Sequence, residues 1–247
     1  MLRSFKQAKV EFIHDPQEPG WGKSDDEMFP VIGPTADVEY TVKTLIGPAK
    51  LDQHGILREL EWTILDHKQE LLRLEKKYRA GERVGNSKFP GRSPQSELSW
   101  PYDFSVQKTF ELKKDRLTVR FLIQSEHGMP FQFGYHPAFK LNPDNGPITL
   151  ECADEQITLE SILRAGSKAY PLKDSSEVLL EENGKAFLKL LSEGFGHFMC
   201  WTEVPNMICI EPITHYPVDV KLERFITHSL VVPENGKMRF SLSMIPQ

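Results

Sequence analysis

Cysteine is scarce in this 247-residue chain: Cys152, Cys200 and Cys209 are three in all. Three is an odd number and too few for a disulfide scaffold, so a reducing cytoplasm is the expected compartment. A basic excess is lacking as well. Thirty Lys and Arg stand against 35 Asp and Glu, a formal net charge of −5. That balance argues against a nucleic-acid surface or an anionic-membrane surface built on bulk charge. No apolar run approaches the roughly 18 residues a membrane helix needs. The opening residues carry charges but no apolar core of the kind a secretory signal has. Neither a G-x-G-x-x-G turn nor a phosphate-binding Walker loop occurs, so nucleotide-cofactor readings lack their fingerprint. What remains is a hydrophobic fraction of 39%, enough for the sizeable core of a globular protein. The length fits one large domain better than two small ones.

The patterning is that of strands. Over 117–124, Leu117, Val119, Phe121 and Ile123 alternate with polar partners, and over 238–245 Met238, Phe240, Leu242 and Met244 do the same. This two-residue period marks a half-buried strand. Shorter candidates lie at 103–110, 130–136, 148–153, 187–191, 196–202, 207–211 and 229–233. Turn signals separate them at Lys114-Asp115, Asn142 to Gly146, Asn183-Gly184 and Asn235-Gly236, the last two being hairpin dipeptides. Residues 69–79 fit either a helix or a strand, and the β context favours a strand. Residues 80–97, rich in glycine, proline and charge, read as a long surface loop. The expected fold is mainly β with few short helices, an antiparallel sandwich or barrel.

Three short segments hold groups that do chemistry. As a strand, 131–136 puts Phe131, Phe133 and Tyr135 on one face and Gln132, Gly134 and His136 on the other. Gly134 leaves open space on that second face, and Pro137 holds His136 extended and ends the ladder. In 206–212, Ile208 and Ile210 share a face while Met207, Cys209 and Glu211 share the opposite one. Pro212 follows the carboxylate directly. Poor solvation there raises a carboxyl's pKa toward the range of a base useful near neutrality. In 51–58, His54 and Arg58 flank the turn at Gly55. Taken singly, each has an ordinary structural reading: a packed His-Pro, a carboxylate paired with a lysine, two surface residues.

Together the segments resemble the aldose 1-epimerase (galactose mutarotase-like) family, in particular its epimerase-related branch with an H-G-x-x-R motif. Met28-Phe29-Pro30-Val31-Ile32-Gly33 resembles that branch's strand before the histidine-glycine turn, and His54-Gly55-Ile56-Leu57-Arg58 its H-G-x-x-R. Trp100-Pro101-Tyr102-Asp103-Phe104 is similar to its aromatic entry to the next strand. Met129-Pro130 with Gly134-Tyr135-His136-Pro137-Ala138-Phe139 matches a G-x-H-P-x-F motif. Trp201 with Ile208-Cys209-Ile210-Glu211-Pro212 matches a C-x-E-P motif. The resemblance implies a galactose mutarotase-like β-sandwich (a supersandwich) over 1–247, with a sugar cleft on its concave face. It assigns Glu211 as general base, His136 as general acid, and His54 and Arg58 as sugar-binding residues.

Mutarotation takes a proton from the anomeric hydroxyl and delivers one to the ring oxygen. The ring opens, the C1–C2 bond rotates, and the ring closes on its other face. The implied arrangement has the carboxylate and the imidazole on opposite sides of the pyranose, with no metal and no cofactor.

The chain departs from galactose mutarotases in several places. Thr35-Ala36-Asp37-Val38 stands where they carry an asparagine-arginine pair, and Asp174 is the weak candidate for their sugar-binding aspartate. The segment from Leu2 to Lys6 resembles one that relatives precede with a further strand, so the chain is expected to lack the family's first strand and to expose a sheet edge. A zinc quartet of His197, Cys200, Cys209 and His215 is disfavoured by its spacing. The expected function is an aldose 1-epimerase acting on a free hexose. Its alternatives are a hexose-6-phosphate mutarotase and a non-catalytic carbohydrate-binding protein on the same fold. The expected partner is a small sugar, without nucleic acid or membrane, on a monomer or homodimer.

Overall fold

A computed structural model describes residues 2–153 and 155–247. Two antiparallel sheets dominate it. The larger has nine strands in the spatial order Glu155–Thr158, Ile148–Cys152, Glu177–Glu182, Lys185–Glu193, Lys237–Pro246, Arg116–Ser125, Phe104–Lys113, Leu71–Tyr78 and Thr63–Lys68. The smaller runs Tyr170–Leu172, His197–Trp201, Met207–Ile213, Gly134–Tyr135 and Glu27–Met28, and Ala138–Lys140 also pairs with Met207–Ile213. The apolar faces of both meet in one core, where Val119, Phe121, Ile123, Phe240 and Leu242 pack with Phe131, Phe133, Ile208 and Ile210. This is the expected antiparallel β-sandwich.

Alternation explains the layering. Leu117, Val119, Phe121 and Ile123 are buried, and their strand pairs in register with Lys237–Pro246, Phe121 lying opposite Phe240. Residues 69–79 are a strand, Leu71–Tyr78. Asn183-Gly184 closes the hairpin between Glu177–Glu182 and Lys185–Glu193 with both residues at positive φ, 52° and 69°, as a two-residue type I′ turn requires. Asn235-Gly236 is a turn but not a hairpin. The strand before it, Leu230–Val231, pairs with Pro130–Phe131 instead, because Pro233 cannot donate to a ladder. The only α-helix among the described residues is Leu159–Ala165, capped by the Thr158 side chain accepting from the Ser161 N–H at 3.2 Å. No helix among the described residues is long and apolar enough to cross a membrane.

Two expectations need correction. Residues 80–97 are not simply a surface loop. Val84–Gly85 pairs with Glu97–Leu98, and buried Asn86 donates to Asp52 Oδ2 at 2.9 Å, docking the segment on the 51–58 turn. Nor does Gly134 leave open space. A Cβ there would lie 2.4 Å from Met28 Cε and 3.0 Å from Ile213 Cγ2, so the missing side chain is needed for close strand packing. Near the N-terminus, Lys6–Gln7 and Val10–Glu11 form a two-stranded ribbon that seats Phe5 and Phe12 in the core, and Ile13 bridges to Phe139.

Candidate active site

His136 follows the short strand Gly134–Tyr135 and exchanges backbone hydrogen bonds with Asp26, at 2.8 and 3.2 Å. Glu211 lies in Met207–Ile213, every residue of which is buried. The strand register puts Ile208 and Ile210 in the main core, while Cys209 packs on the other side with Met207 and Ala138. Glu211 shares that second side. It meets His136 there, Oε1 to Nε2 at 3.3 Å, with side-chain exposures of 1% and 8%. The two groups therefore sit side by side.

His54 and Arg58 arrive from a tight turn. His54 and Gly55 have φ of 73° and 72°. Glycine is obligatory at 55, since a Cβ would lie 2.0 Å from the Phe29 carbonyl oxygen. A non-glycine residue such as His54 in the left-handed region is strained, a cost that recurs where function fixes a side chain. The His54 ring lies edge-on to that of His136 with centroids 5.9 Å apart. Arg58 is held from behind: its Nε donates to the Glu27 carbonyl at 2.9 Å and lies 3.4 Å from Asp26 Oδ2. The four sequence-picked side chains thus converge. Each keeps a buried polar atom with no protein partner among the described residues: His54 Nδ1, Arg58 Nη2, His136 Nδ1 and Glu211 Oε2. Buried polar atoms are normally paired, so four orphans in one place ask for an explanation.

Burial sets the electrostatics. It pushes the Glu211 carboxyl well above its usual range, against the pull of Arg58. Burial, then the Arg58 charge, pushes the His136 imidazole well below its usual value. His54 is lowered in the same way, by burial, Arg58 and His136. The pair therefore favours a protonated carboxyl beside a neutral imidazole, one transferable proton between two sites. His136, Cys209 and Glu211 also offer three metal-ligand atoms within 4.8 Å of one another. Burial raises the Cys209 thiol strongly, with Glu211 adding to the effect. A metal there would have to displace the protons of both the thiol and the carboxyl. The zinc quartet is split: Cys200 packs in the main core and Cys209 on the opposite face.

The sequence reading missed Trp21 and Asp26. The Trp21 ring stacks on His136 with centroids 4.0 Å apart and an interplanar angle of 28°. Its segment is pinned by Trp21 N to Met207 Sδ at 3.3 Å and by Asn206 Nδ2 to the Pro19 carbonyl at 2.9 Å. An aromatic in a glycine- and proline-rich stretch was the only available signal. Trp21→Ala should admit water to the imidazole and raise the His136 pKa toward 6.5. An NMR titration of its ring protons checks this, and an unmoved midpoint would mean that Trp21 does not desolvate the ring.

Asp174 and Thr35 stand outside the cluster. The Asp174 backbone N–H donates to His197 Nδ1 at 3.0 Å, and Thr35 Oγ1 is spent on the Leu51 carbonyl at 2.7 Å.

The fold has solved counterparts. A galactose mutarotase related enzyme from Lactobacillus acidophilus is 16% identical, over 97% of this chain and 88% of that one, with a TM-score of 0.70. A galactose mutarotase-like protein from Lactobacillus casei is 15% identical, over 96% and 90%, with a TM-score of 0.72. One from Clostridium acetobutylicum is 15% identical, over 96% and 86%, with a TM-score of 0.60. Among curated proteins none matches the sequence significantly. The aldose 1-epimerase family profile matches residues 31–185, more than half of the chain, a span that holds His54, Arg58 and His136, while Glu211 joins them through the fold. With that profile match and this architecture, the chain belongs to the aldose 1-epimerase family.

Proposed function

We propose that the protein is an aldose 1-epimerase that interconverts the α and β anomers of a free hexose. His136 and Glu211 move the protons, and His54 and Arg58 hold the sugar. The observation that carries this reading is that four side chains from three separate segments come together and each keeps an orphaned polar atom. An acid, a base and two hydroxyl-binding groups are what ring opening needs, and sugar hydroxyls would satisfy each atom. A binding protein has no use for a matched proton donor and acceptor at 3.3 Å. No metal or cofactor enters the scheme.

A neutral sugar fits better than a sugar phosphate. The cations nearest the cluster are committed: Lys88 to Asp52 at 3.3 Å, Lys23 to Asp26 and Lys140 to Glu18. Among Lys88, Lys23, Lys140 and Arg58, Arg58 alone keeps a buried nitrogen without a partner, and a dianion calls for two or more converging cations. The test compares kcat/KM for glucose, galactose and glucose 6-phosphate at low and moderate salt. A tenfold preference for the phosphate that erodes with salt would overturn the neutral-hexose reading. His54→Ala and Arg58→Ala should act mainly on KM, each removing hydrogen bonds worth about 1–3 kcal/mol. A rate abolished at saturating sugar in His54→Ala would move His136's proton-transfer role to His54.

A further inference from the structure

The proton transfer at His136 and Glu211 does not use Cys209, yet the sheet delivers its thiol to the same place. Gly134 lies opposite Ile213, and Ala138 lies opposite Cys209, on the antiparallel neighbour Met207–Ile213. That register sets His136 opposite Glu211, midway between the two, and opposed residues share a sheet face. Cys209 and Glu211 are two residues apart on one strand and project from that face together. One ligand atom from each of His136, Cys209 and Glu211 therefore lies within 4.8 Å of the other two, and all three residues are buried.

A thiolate, an imidazole nitrogen and a carboxylate oxygen make a three-ligand zinc set of the kind that leaves the fourth position to water. Two nitrogen or oxygen ligands at about 2.0–2.2 Å from a tetrahedral zinc stand about 3.3–3.5 Å apart. His136 Nε2 lies 3.3 Å from Glu211 Oε1. Glu211 Oε2 is a second buried oxygen on the same carboxyl, without a partner among the described residues. Trp21, Trp201 and Val204 pack around Cys209 with Met207 and Ala138, an apolar shell that limits solvent access to a metal. Arg58 opposes a cation here, but Asp26 Oδ2 stands 3.4 Å from its Nε and offsets part of that charge. Sulfur and nitrogen donors beside a single carboxylate select zinc or cadmium over magnesium or calcium, which take oxygen ligands.

We infer that His136, Cys209 and Glu211 form an inhibitory site for a thiophilic divalent cation, zinc or cadmium. On binding, the Cys209 thiol and the Glu211 carboxyl each release their proton to solvent, and neutral His136 donates the lone pair of Nε2. The cation then occupies the atoms that move protons, so ring opening stops while it is bound. The binding stands on the three ligands alone, and the inhibition rests on the proposed function.

The experiment titrates cadmium chloride into the purified protein and follows the ultraviolet charge-transfer band of a cadmium thiolate. The wild type should develop the band and saturate at one cadmium per chain, and Cys209→Ser should abolish it. Glu211→Gln keeps the thiol but should bind cadmium at least tenfold more weakly, since losing even an outer-shell partner of a metal costs about 10–100-fold. No band in the wild type, a band that survives Cys209→Ser, or an unchanged affinity in Glu211→Gln would each overturn the site. Cadmium at the concentration that saturates the band should slow mutarotation of glucose at least tenfold, and a chelator should restore the rate. Full turnover with the band saturated would overturn the inhibition. If no sugar is turned over without metal, the proposed function fails by itself, and the cadmium band in the wild type and the two variants still decides the site.

Discussion

Glu211→Gln and His136→Asn are each expected to slow mutarotation by at least about a hundredfold while the fold persists. A positioned acid or base contributes about 10²–10⁴ in rate, and each substitution removes one of the pair. The pair is set up as a unit. Burial raises Glu211 and lowers His136, with Arg58 lowering both, which favours a protonated carboxyl beside a neutral imidazole at 3.3 Å. The wild-type kcat/KM should trace a bell in pH. Activity falls on the acid side when the pair takes a second proton, and on the alkaline side when it loses the only one.

Stability should move the other way. A carboxyl whose folded pKa is raised favours the folded state below its unfolded pKa, and that contribution is lost as pH rises through the folded value. At neutral pH wild-type Glu211 is thus a burden, and its Oε2 is unpaired. Glu211→Gln should be inactive yet melt higher, by about 2–4 °C for each kcal/mol recovered. Near-wild-type rates in both variants, with unchanged circular dichroism, would remove these two residues from the chemistry.

Lys108→Ala should be the most destabilising single change. Lys108 lies in the strand Phe104–Lys113 with only 2% exposure, bonded to Asp25 and, at 2.7 Å, to Glu27 Oε1. Burial alone would lower its pKa, but the two carboxylates overcome this and raise it. Around the same acids, the Tyr135 hydroxyl donates to Asp25 at 3.1 Å and Lys76 lies 3.7 Å from Glu27. Removing the lysine strands buried carboxylates, which costs about 3–5 kcal/mol, or a Tm lower by about 6–20 °C. Adding Asp25→Asn and Glu27→Gln to Lys108→Ala should recover part of the loss, because the stranded charges are then gone. A Tm within 2–3 °C of wild type for Lys108→Ala, roughly 1 kcal/mol, would show that the network contributes little. The network also bears on the site, since Arg58 leans on the Glu27 carbonyl at 2.9 Å and Glu27–Met28 pairs with the strand before His136.

The sandwich was legible because burial in it follows a simple period. Leu117 to Ile123 and Phe131 to Tyr135 are read by alternation, and the core contains them as read. The candidate site was legible through motifs, since His54, His136 and Glu211 each stand beside a glycine or proline that fixes the backbone, and Arg58 lies three residues past Gly55. What stayed hidden depended on long-range contact. Asp25, Asp26 and Glu27 look like a solvated acidic run in sequence, yet all three are buried, because Lys108 reaches them from the strand Phe104–Lys113 and Arg58 from the turn Leu57–Glu59. Trp21 gave no period to read, and its partner His136 is more than a hundred residues away. The space beside Gly134 looked open only because nothing local says that Met28 fills it.

Polarimetry of freshly dissolved α-glucose and α-galactose with purified wild-type protein tests the central claim most directly. The account predicts that the approach to anomeric equilibrium accelerates in proportion to protein concentration for at least one of the two, and that Glu211→Gln returns it to the buffer rate. A rate equal to buffer alone for both sugars, at protein concentrations where sugar binding is measurable, would contradict it.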